Sequence, residues 1–166
     1  MRNILMMAAA AGLLSACADD SAAPANNDVE TAAAALTPGE YELTAKVDQL
    51  RSTDNTTPAT KAKVGADPAT SRTCVGTSNK IDPAAFAEAG ETCTPSESYM
   101  KDGRMSLQYK CSRKGEQLTQ MADGDFTADS FTAQVRTYTY FSGTGDYELV
   151  RSVTAKRVGE CAPKAA

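Results

Sequence analysis

The chain has 166 residues, enough for one domain or at most two small ones, which excludes a large multidomain enzyme. Its 17 Lys and Arg against 21 Asp and Glu give a net charge of -4. The sequence has no long basic run, and this argues against a nucleic-acid partner, because phosphate binding needs clustered cations. The chain has no His, the usual proton carrier and the commonest zinc ligand, so we predict no metal site and no cofactor.

The first residues indicate export. Met1–Asn3 is a short positive segment, and residues 4–14 form an apolar stretch that matches the core of a signal peptide and is too short to cross a bilayer. The next residues, Leu14-Ser15-Ala16-Cys17, resemble a bacterial lipobox, in which the chain is cleaved before the Cys and the Cys receives acyl chains such as palmitate. We predict a lipoprotein signal peptide over residues 1–16 and lipidation of Cys17. An ordinary cleavage site with an incidental Cys17 is the alternative.

Lipidation would make a membrane the first predicted partner. Two or more acyl chains hold a protein stably on a bilayer without a transmembrane segment. Asp directly after the lipid-bearing Cys favours inner-membrane retention in some bacteria, and this chain has Ala18 there. We therefore expect a cell-envelope protein, on the outer rather than the inner membrane, with its domain in the periplasm. Residues 17–37 contain few apolar side chains that could be buried, so we predict a flexible tether there. Residues 163–166 are expected to form a short tail.

The domain predicted over residues 38–162 has a thin core. Leu, Ile, Val and Phe total 19 of the 150 residues from Cys17 onward, a lower share than in most folded domains. An exported chain meets an oxidising compartment, where the four Cys beyond Cys17 can form two disulfides. We expect these disulfides to make up much of the missing core stability.

Four Cys allow three pairings, and a turn favours one of them. Lys101–Gly103 fits a three-residue hairpin loop with Gly in the left-handed position. This register places Cys93 directly opposite Cys111, and Cys residues that face each other on neighbouring antiparallel strands can form a disulfide. We predict the pair Cys93–Cys111 and, by elimination, the pair Cys74–Cys161.

Alternation of apolar and polar residues predicts strands with one buried and one wet face. These segments are residues 41–48, 104–111, 131–135 and 147–155. Turns between strands are expected at Asp123-Gly124 and at Ser142–Gly145. We predict a mainly β fold, an antiparallel meander that forms a curved sheet or small barrel and is stapled by two disulfides.

One short helix is expected between the strands. Asp82 can cap it, Pro83 suits its first position, Ala84–Ala89 extend it to about two turns, and Gly90 ends it. Residues 52–69 form a polar loop, which we interpret as a solvated insertion rather than a lid over a binding site.

Several short motifs resemble one family in their order and spacing. They are Pro38–Tyr41, the spacing of Cys74, Cys93, Gly103 and Cys111, and the closing segment Ala155–Cys161. Together they resemble the domain-of-unknown-function 3617 family of bacterial envelope proteins over about residues 38–162, with Tyr41 where the family often has Trp. The resemblance implies a small exported β domain and implies no activity.

One charged residue lies on a strand face that is otherwise apolar. Arg151 has the same parity as Tyr147 and Val153, so in a regular strand it points inward, where an unpaired charge is costly. An inward Arg could bind the carboxylate or phosphate head of an amphiphile, with Tyr147 and Tyr109 as further candidate ligand-binding residues and Glu97 as its own partner. The alternative is a bulge that flips the register and leaves Arg151 exposed.

These observations leave two functional classes. The sequence has no Gly-x-Ser-x-Gly elbow and no phosphate-binding glycine loop, so we predict no catalytic residue and expect that the protein is not an enzyme. A structural or interaction lipoprotein would have a filled core and another envelope protein as partner. A binding module would hold an apolar or amphipathic envelope molecule in a curved sheet or barrel and would have a real cavity. We favour the interaction module, because the few apolar residues barely suffice to fill the core.

Overall fold

The structure is a computed structural model that describes residues 35–162. The predicted signal peptide over residues 1–16, the predicted lipidation of Cys17, most of the predicted tether and the tail all lie outside the described residues. Within the described part of the chain, no helix is long and apolar enough to cross a membrane.

Seven strands form a single antiparallel sheet, which confirms the predicted mainly β fold. In chain order they are β1 (Gly39–Ser52), β2 (Ala69–Val75), β3 (Glu91–Lys101), β4 (Arg104–Arg113), β5 (Glu116–Phe126), β6 (Ser130–Tyr140) and β7 (Tyr147–Gly159). The strands from β3 to β7 follow one another as a meander, and β7 then pairs with β1, which pairs with β2. The sheet curls into a half-barrel whose free edges are β2 and β3.

The sheet has two ends, which we name by the path of the chain. The entry end is where β1 begins at Gly39, and it includes the β3–β4 and β5–β6 turns. The far end is where β1 ends at Ser52, opposite Tyr147, and it includes the β4–β5 and β6–β7 turns. The 11 residues of β6 separate the two ends by about 33 Å, since ten steps of about 3.3 Å join the first Cα to the last.

The concave face is apolar because its strands alternate as predicted. In β4, every second residue from Met105 to Cys111 is buried, and the residues between them are exposed or half-buried. In β6 the same holds from Phe131 to Val135. The predicted segments 41–48, 104–111, 131–135 and 147–155 lie within β1, β4, β6 and β7.

The connection between β2 and β3 covers this concave face. Because β2 and β3 are the two edges of the sheet, residues 76–90 have to cross its open side. Ile81 and Phe86 in this connection are 4% and 1% exposed. The centroid of the Phe86 ring lies 5.9 Å from that of Tyr109 and 6.2 Å from that of Phe131. The half-barrel is therefore filled by its own chain.

The helix predicted in this connection is shorter than expected. Asp82 caps it as predicted, but only the 3-10 turn Pro83–Ala85 forms, and the α-helix expected over Ala84–Ala89 is wrong. A continuing helix would direct the N–H of Glu88 to the carbonyl four residues back. That N–H donates instead to the carboxylate of Glu91, at 2.8 Å.

The β3–β4 hairpin has a shorter loop than predicted but the predicted disulfide. The loop has two residues, Asp102 and Gly103, with φ of 53° and 75°, as a type I′ turn requires. The register near the turn is therefore shifted by one residue, and a bulge at Ser96 shifts it back. Cys93 lies opposite Cys111 as predicted, although the three-residue loop is wrong.

The turn predicted at Asp123-Gly124 is wrong, because both residues lie within β5. The chain turns a few residues later, between Phe126 and Ser130. Gly124 allows β5 and β6 to approach each other closely, because a Cβ at this position would lie 1.9 Å from the carbonyl oxygen of Thr132. Glycine in a strand can indicate such an approach as well as a turn.

Two disulfides close the domain in the predicted pairing. The hairpin bridge joins Cys93 to Cys111 across β3 and β4, over a sequence separation of 18. The terminal bridge joins Cys74 in β2 to Cys161 after β7, over a separation of 87. The terminal bridge thus ties the end of the domain to one edge of the sheet.

The folded part begins before the predicted domain boundary at residue 38. Leu36 is 3% exposed, and its N–H donates to the side-chain oxygen of Asn79 at 2.9 Å. The N–H of Thr37 donates to the carbonyl of Ala128, and the hydroxyl of Tyr41 donates to the carbonyl of Thr37. The last two residues assigned to the tether therefore belong to the domain.

Candidate functional site

The three candidate ligand residues all lie on the concave face, but they do not form one site. Tyr109 is 2% exposed and packs against Phe86 in the apolar core, and burial raises its pKa well above the usual value. Tyr147 is fully buried at the far end, where its hydroxyl donates to Glu88. Arg151 follows on β7, and the same carboxylate acts to raise its pKa against the effect of burial. The structure therefore brings Arg151 and Tyr147 together and leaves Tyr109 apart.

Arg151 points inward, and the alternative, a bulge in its strand that would leave it exposed, is wrong. Its neighbours in the sheet are Val47 on β1 and Val135 on β6. A bulge does occur beside it, but the extra residue is Asp48 on β1, so Arg151 stays on the same face of β7 as Leu149 and Val153. Arg151 is half-buried, whereas Leu149, two residues earlier on the same face, is fully buried.

The partners of Arg151 come from the connection that covers the sheet. Its guanidinium donates to the carbonyl of Phe86. Burial lowers the pKa of Arg151, and the nearby carboxylates of Glu88 and Glu91 oppose this effect. Glu97, the predicted partner, is exposed on β3 opposite Gln108, because the bulge in that strand moves it out of register.

Glu88 is the centre of a polar cluster at the far end. One of its carboxylate oxygens accepts a hydrogen bond from the hydroxyl of Thr60 at 2.9 Å. The other accepts from the hydroxyl of Tyr147 at 2.6 Å and from Arg113 at 3.4 Å. Burial and then the bond to Glu88 raise the pKa of Tyr147, which keeps the phenol neutral. The side chains of Glu88 and Arg113 are only 14% and 16% exposed, so the two charges neutralise each other in a largely buried pair.

The carboxylate of Glu91 is joined to this cluster through the backbone of Glu88. Oε2 of Glu91 accepts from the N–H of Glu88 at 2.8 Å and from Nε2 of Gln120 at 2.9 Å. Burial raises the pKa of Glu91 above its usual value. Within residues 35–162, Oε1 of Glu91, Oε1 of Gln120 and Nε of Arg151 are buried without a hydrogen-bond partner. The inner layer of the cluster therefore has unused hydrogen-bonding capacity.

Two aromatic rings hold Arg113 in place. Its guanidinium carbon lies 5.3 Å from the ring centroid of Phe141 and 5.7 Å from that of Tyr147. One guanidinium nitrogen also donates to the hydroxyl of Tyr147 at 2.9 Å. These cation–π contacts, together with the pairing to Glu88, give the planar guanidinium a defined position.

A cavity of about 630 Å³ opens at the far end beside this cluster. It is lined by residues 58–61 after β1, by Glu88-Ala89, by the β4–β5 turn at residues 113–116 and by the β6–β7 turn around Phe141–Thr144. Its volume falls within the range of small-molecule sites. Charged side chains and an aromatic ring share its wall, so the arrangement suits the binding of a polar molecule.

The loop after β1 is docked onto this site, and its interpretation as a purely solvated insertion is wrong for residues 54–61. One carboxylate oxygen of Asp54 accepts from the N–H of Thr56 at 2.9 Å. The other accepts from the N–H groups of Gly145 at 2.7 Å and Asp146 at 3.1 Å. The hydrogen bonds from Thr56, then those from Asp146 and Gly145, hold the pKa of Asp54 well below its usual range. The N–H of Ala59 bonds the carbonyl of Gly145, so the loop forms a fixed wall of the cavity.

Reasoning from the sequence missed the three charged residues at the centre of the cluster, Glu88, Glu91 and Arg113. Glu88 lies in the segment predicted as a helix, and Glu91 begins a strand without clear alternation. A signal for Arg113 exists in the sequence, because Lys114-Gly115 is a two-residue turn with φ of 54° and 85°. Recognition of that turn would have placed Arg113 at the end of a hairpin.

The residues that carry the family resemblance meet at the opposite, entry end. Nε of Arg157 donates to the carbonyl of Pro38 at 2.9 Å. A Cβ on Gly39 would lie 2.5 Å from both Nε of Arg157 and the carbonyl oxygen of Gly159, so this contact requires glycine. Tyr41 is fully buried nearby. The opening and closing motifs therefore join the first and last strands of the sheet.

Fold and motifs together define a small, disulfide-stapled β protein whose half-barrel is filled by its own chain. The model of the family described as protein of unknown function (DUF3617) matches residues 36–161, more than half of the chain, and the chain belongs to this family. The resemblance seen in the motifs is thereby confirmed. Searches of curated proteins and of solved structures found no match.

Proposed function

We propose that the protein is a lipid-anchored, non-catalytic module of the bacterial cell envelope that acts by binding another envelope protein. The filled concave face is the observation that carries this proposal. Ile81 and Phe86 occupy the space that an apolar ligand inside the half-barrel would need. Such a domain offers a partner its outer surface and its far end rather than its interior.

The path of the chain supports the far end as the working surface. The described chain starts at the entry end, where Leu36 packs beside Asn79. A lipid on Cys17 would attach the domain to a membrane from this side. The outer membrane is the proposed location because Ala18, not Asp, follows Cys17. The far end would then face the periplasm, about 33 Å away along the strands.

The alternative, an amphipathic ligand held inside the sheet, has less support. Inward-pointing Arg151 suggested it, and the guanidinium of that residue already donates to the carbonyl of Phe86. A ligand would have to displace the side chains of Phe86 and Ile81. Burial of each such side chain contributes about 1.5–3 kcal/mol, which the ligand would need to replace.

The anchor can be tested on the full chain, expressed with its own N-terminus in a bacterium with two membranes. We expect a palmitate analogue to label the wild-type chain and not the Cys17→Ser variant. We also expect the labelled protein to sediment with outer-membrane vesicles in a density gradient. Labelling that persists without Cys17, or a wild-type protein found free in the periplasm, would contradict the proposed anchor.

The protein partner can be tested by a photo-crosslinking residue placed at exposed turns of the same full chain. Thr144 lies at the far end, and Asp102 at the entry end is the matched control. We expect a discrete adduct with an envelope protein from position 144 only. No adduct from either position, or the same adducts from both, would refute docking at the far end.

Native mass spectrometry of the full chain distinguishes a filled half-barrel from one that holds an amphiphile. A mass about four daltons below that of the reduced chain, without an adduct, would support a filled half-barrel with two disulfides. A discrete lipid-sized adduct that is lost on denaturation would favour an amphiphile inside the sheet.

A further inference from the structure

The carboxylates that line the far-end cavity already accept hydrogen bonds from other groups of the protein. Each oxygen of Glu88 accepts at least one hydrogen bond, as described above. Glu116, the other acidic residue of the wall, accepts from the N–H of Ser142 at 2.9 Å and from its hydroxyl at 2.6 Å, one on each oxygen. A molecule that enters the cavity therefore finds few free acceptors on these side chains.

Within the described part of the chain, two lysines of the same wall are free of ion pairs, and Arg113 keeps unused donors beside its pair with Glu88. Lys61 and Lys114 line the cavity, and neither forms an ion pair with any residue in the range 35–162. Arg113 carries five N–H donors, of which the contacts to Glu88 and Tyr147 use two. Among the residues that line the cavity, three side chains carry a positive charge and two carry a negative charge.

We propose that this cavity binds a small anion that carries a phosphate or carboxylate group, held by Arg113 together with Lys61 and Lys114. The planar fork of an Arg guanidinium matches both groups and can hold either with two hydrogen bonds. The positive charges of Lys61 and Lys114 attract such anions to the cavity.

The geometry is set before any ligand arrives, which favours binding. Arg113 is fixed between the rings of Phe141 and Tyr147. Lys61 follows a loop segment that Asp54 docks onto the β6–β7 turn. Binding therefore costs little ordering of the backbone, and only the lysine side chains lose freedom. The volume of about 630 Å³ leaves room for an organic anion as well as for a simple ion.

Isothermal titration calorimetry of the full lipidated chain in a non-ionic detergent tests this proposal, with inorganic phosphate and citrate as probes and spermidine as a cationic control. We expect saturable binding of at least one anion, weaker at higher sodium chloride, and no binding of spermidine. Binding of phosphate alone would identify a phosphate site, and binding of citrate alone a carboxylate site. No saturable binding of either anion, or a preference for spermidine, would overturn the proposal.

Matched charge variants locate the site. Lys61→Gln combined with Lys114→Gln is expected to lower the affinity by about tenfold or more. Lys101→Gln combined with Lys156→Gln removes the same charge at the entry end and is expected to change the affinity by less than about twofold. An equal loss in both pairs would mean that only net charge matters, and this would refute a site in the cavity.

Discussion

Truncation of Phe86 tests whether the connection between β2 and β3 really fills the half-barrel. The Phe86 ring is 1% exposed and lies against the rings of Tyr109 and Phe131. Replacement of a buried Phe by Ala costs about 3–5 kcal/mol, from lost burial and from the cavity left behind. Since domains of this size unfold at a total cost of about 5–15 kcal/mol, we expect Phe86→Ala to remove a large part of the stability.

Urea unfolding with intact disulfides, followed by circular dichroism because the chain has no Trp, measures this loss. Tyr99→Ala is the control, an aromatic truncation at a side chain that is 53% exposed on an edge strand. We expect it to change the stability by less than about 0.5 kcal/mol. The Phe86→Ala variant keeps the backbone carbonyl that binds Arg151, so it isolates the ring. A loss below about 1 kcal/mol would refute the filled half-barrel.

The same variant should create an apolar cavity that small hydrocarbons can enter, as engineered core cavities do. We expect benzene to raise the thermal midpoint of Phe86→Ala and to leave that of the wild type unchanged. Equal stabilisation of both would reveal an apolar cavity already present in the wild type and would favour the amphiphile alternative. Phe86→Leu, expected to cost less than about 1.5 kcal/mol, provides the comparison if the Ala variant does not fold.

Three further predictions concern the bridges, the docked loop and β5. Replacement of both Cys by Ser is expected to cost about 4.5 kcal/mol in the terminal bridge and about 3 kcal/mol in the hairpin bridge, because they span 87 and 18 residues. Urea unfolding measures both, and a larger cost for the hairpin bridge would contradict the loop-entropy reasoning. Asp54→Asn is expected to lower the urea midpoint at pH 7, with a difference that shrinks as the pH falls below about 4. The ionised carboxylate stabilises the fold above the ordinary pKa of about 3.9, and this contribution is lost as the pH falls toward the lowered pKa of the folded state. A difference that is independent of pH would show that the charge of Asp54 is irrelevant. Gly124→Ala is expected to cost about 1–3 kcal/mol in the same assay, because its Cβ would lie 1.9 Å from a backbone oxygen. Gly143→Ala, where nothing lies within 4 Å, should be neutral, and similar losses at both positions would refute the steric reason.

Local patterns in the sequence were sufficient to predict most of the sheet. Alternation over residues 104–111 predicts a strand that places every second residue from Met105 to Cys111 on one face, and this face is buried in the structure. Alternation is informative because successive side chains in a strand point to opposite faces whatever the neighbouring strand is. The same parity placed Arg151 on the inward face of β7. The pair Cys93–Cys111 was predicted from a three-residue loop; the loop is one residue shorter, and the bulge at Ser96 restores the predicted register at the two Cys.

The wrong predictions concern residues whose neighbours lie far away in the sequence. The dipeptide Asp123-Gly124 is typical of a turn, but glycine is required there because the backbone of β6 approaches closely. The Ala-rich segment after Pro83 has high helix propensity, yet Phe86 is buried in the core and the N–H of Glu88 bonds Glu91 instead of a helical carbonyl. Propensity is a weak preference, and tertiary contacts override it.

The far-end site is decided by tertiary structure alone. Thr60, Glu88, Arg113 and Tyr147 come from four separate segments of the chain and share one hydrogen-bonded cluster. No local pattern links them, because they meet only when the strands pair in this order and the connection between β2 and β3 folds across the sheet. The sequence by itself determined the strands β1, β4, β6 and β7 and their inward faces, since alternation depends on residues next to one another. The curl of the sheet determined which charges meet, since those charges lie on turns and loops that only the complete fold brings into contact.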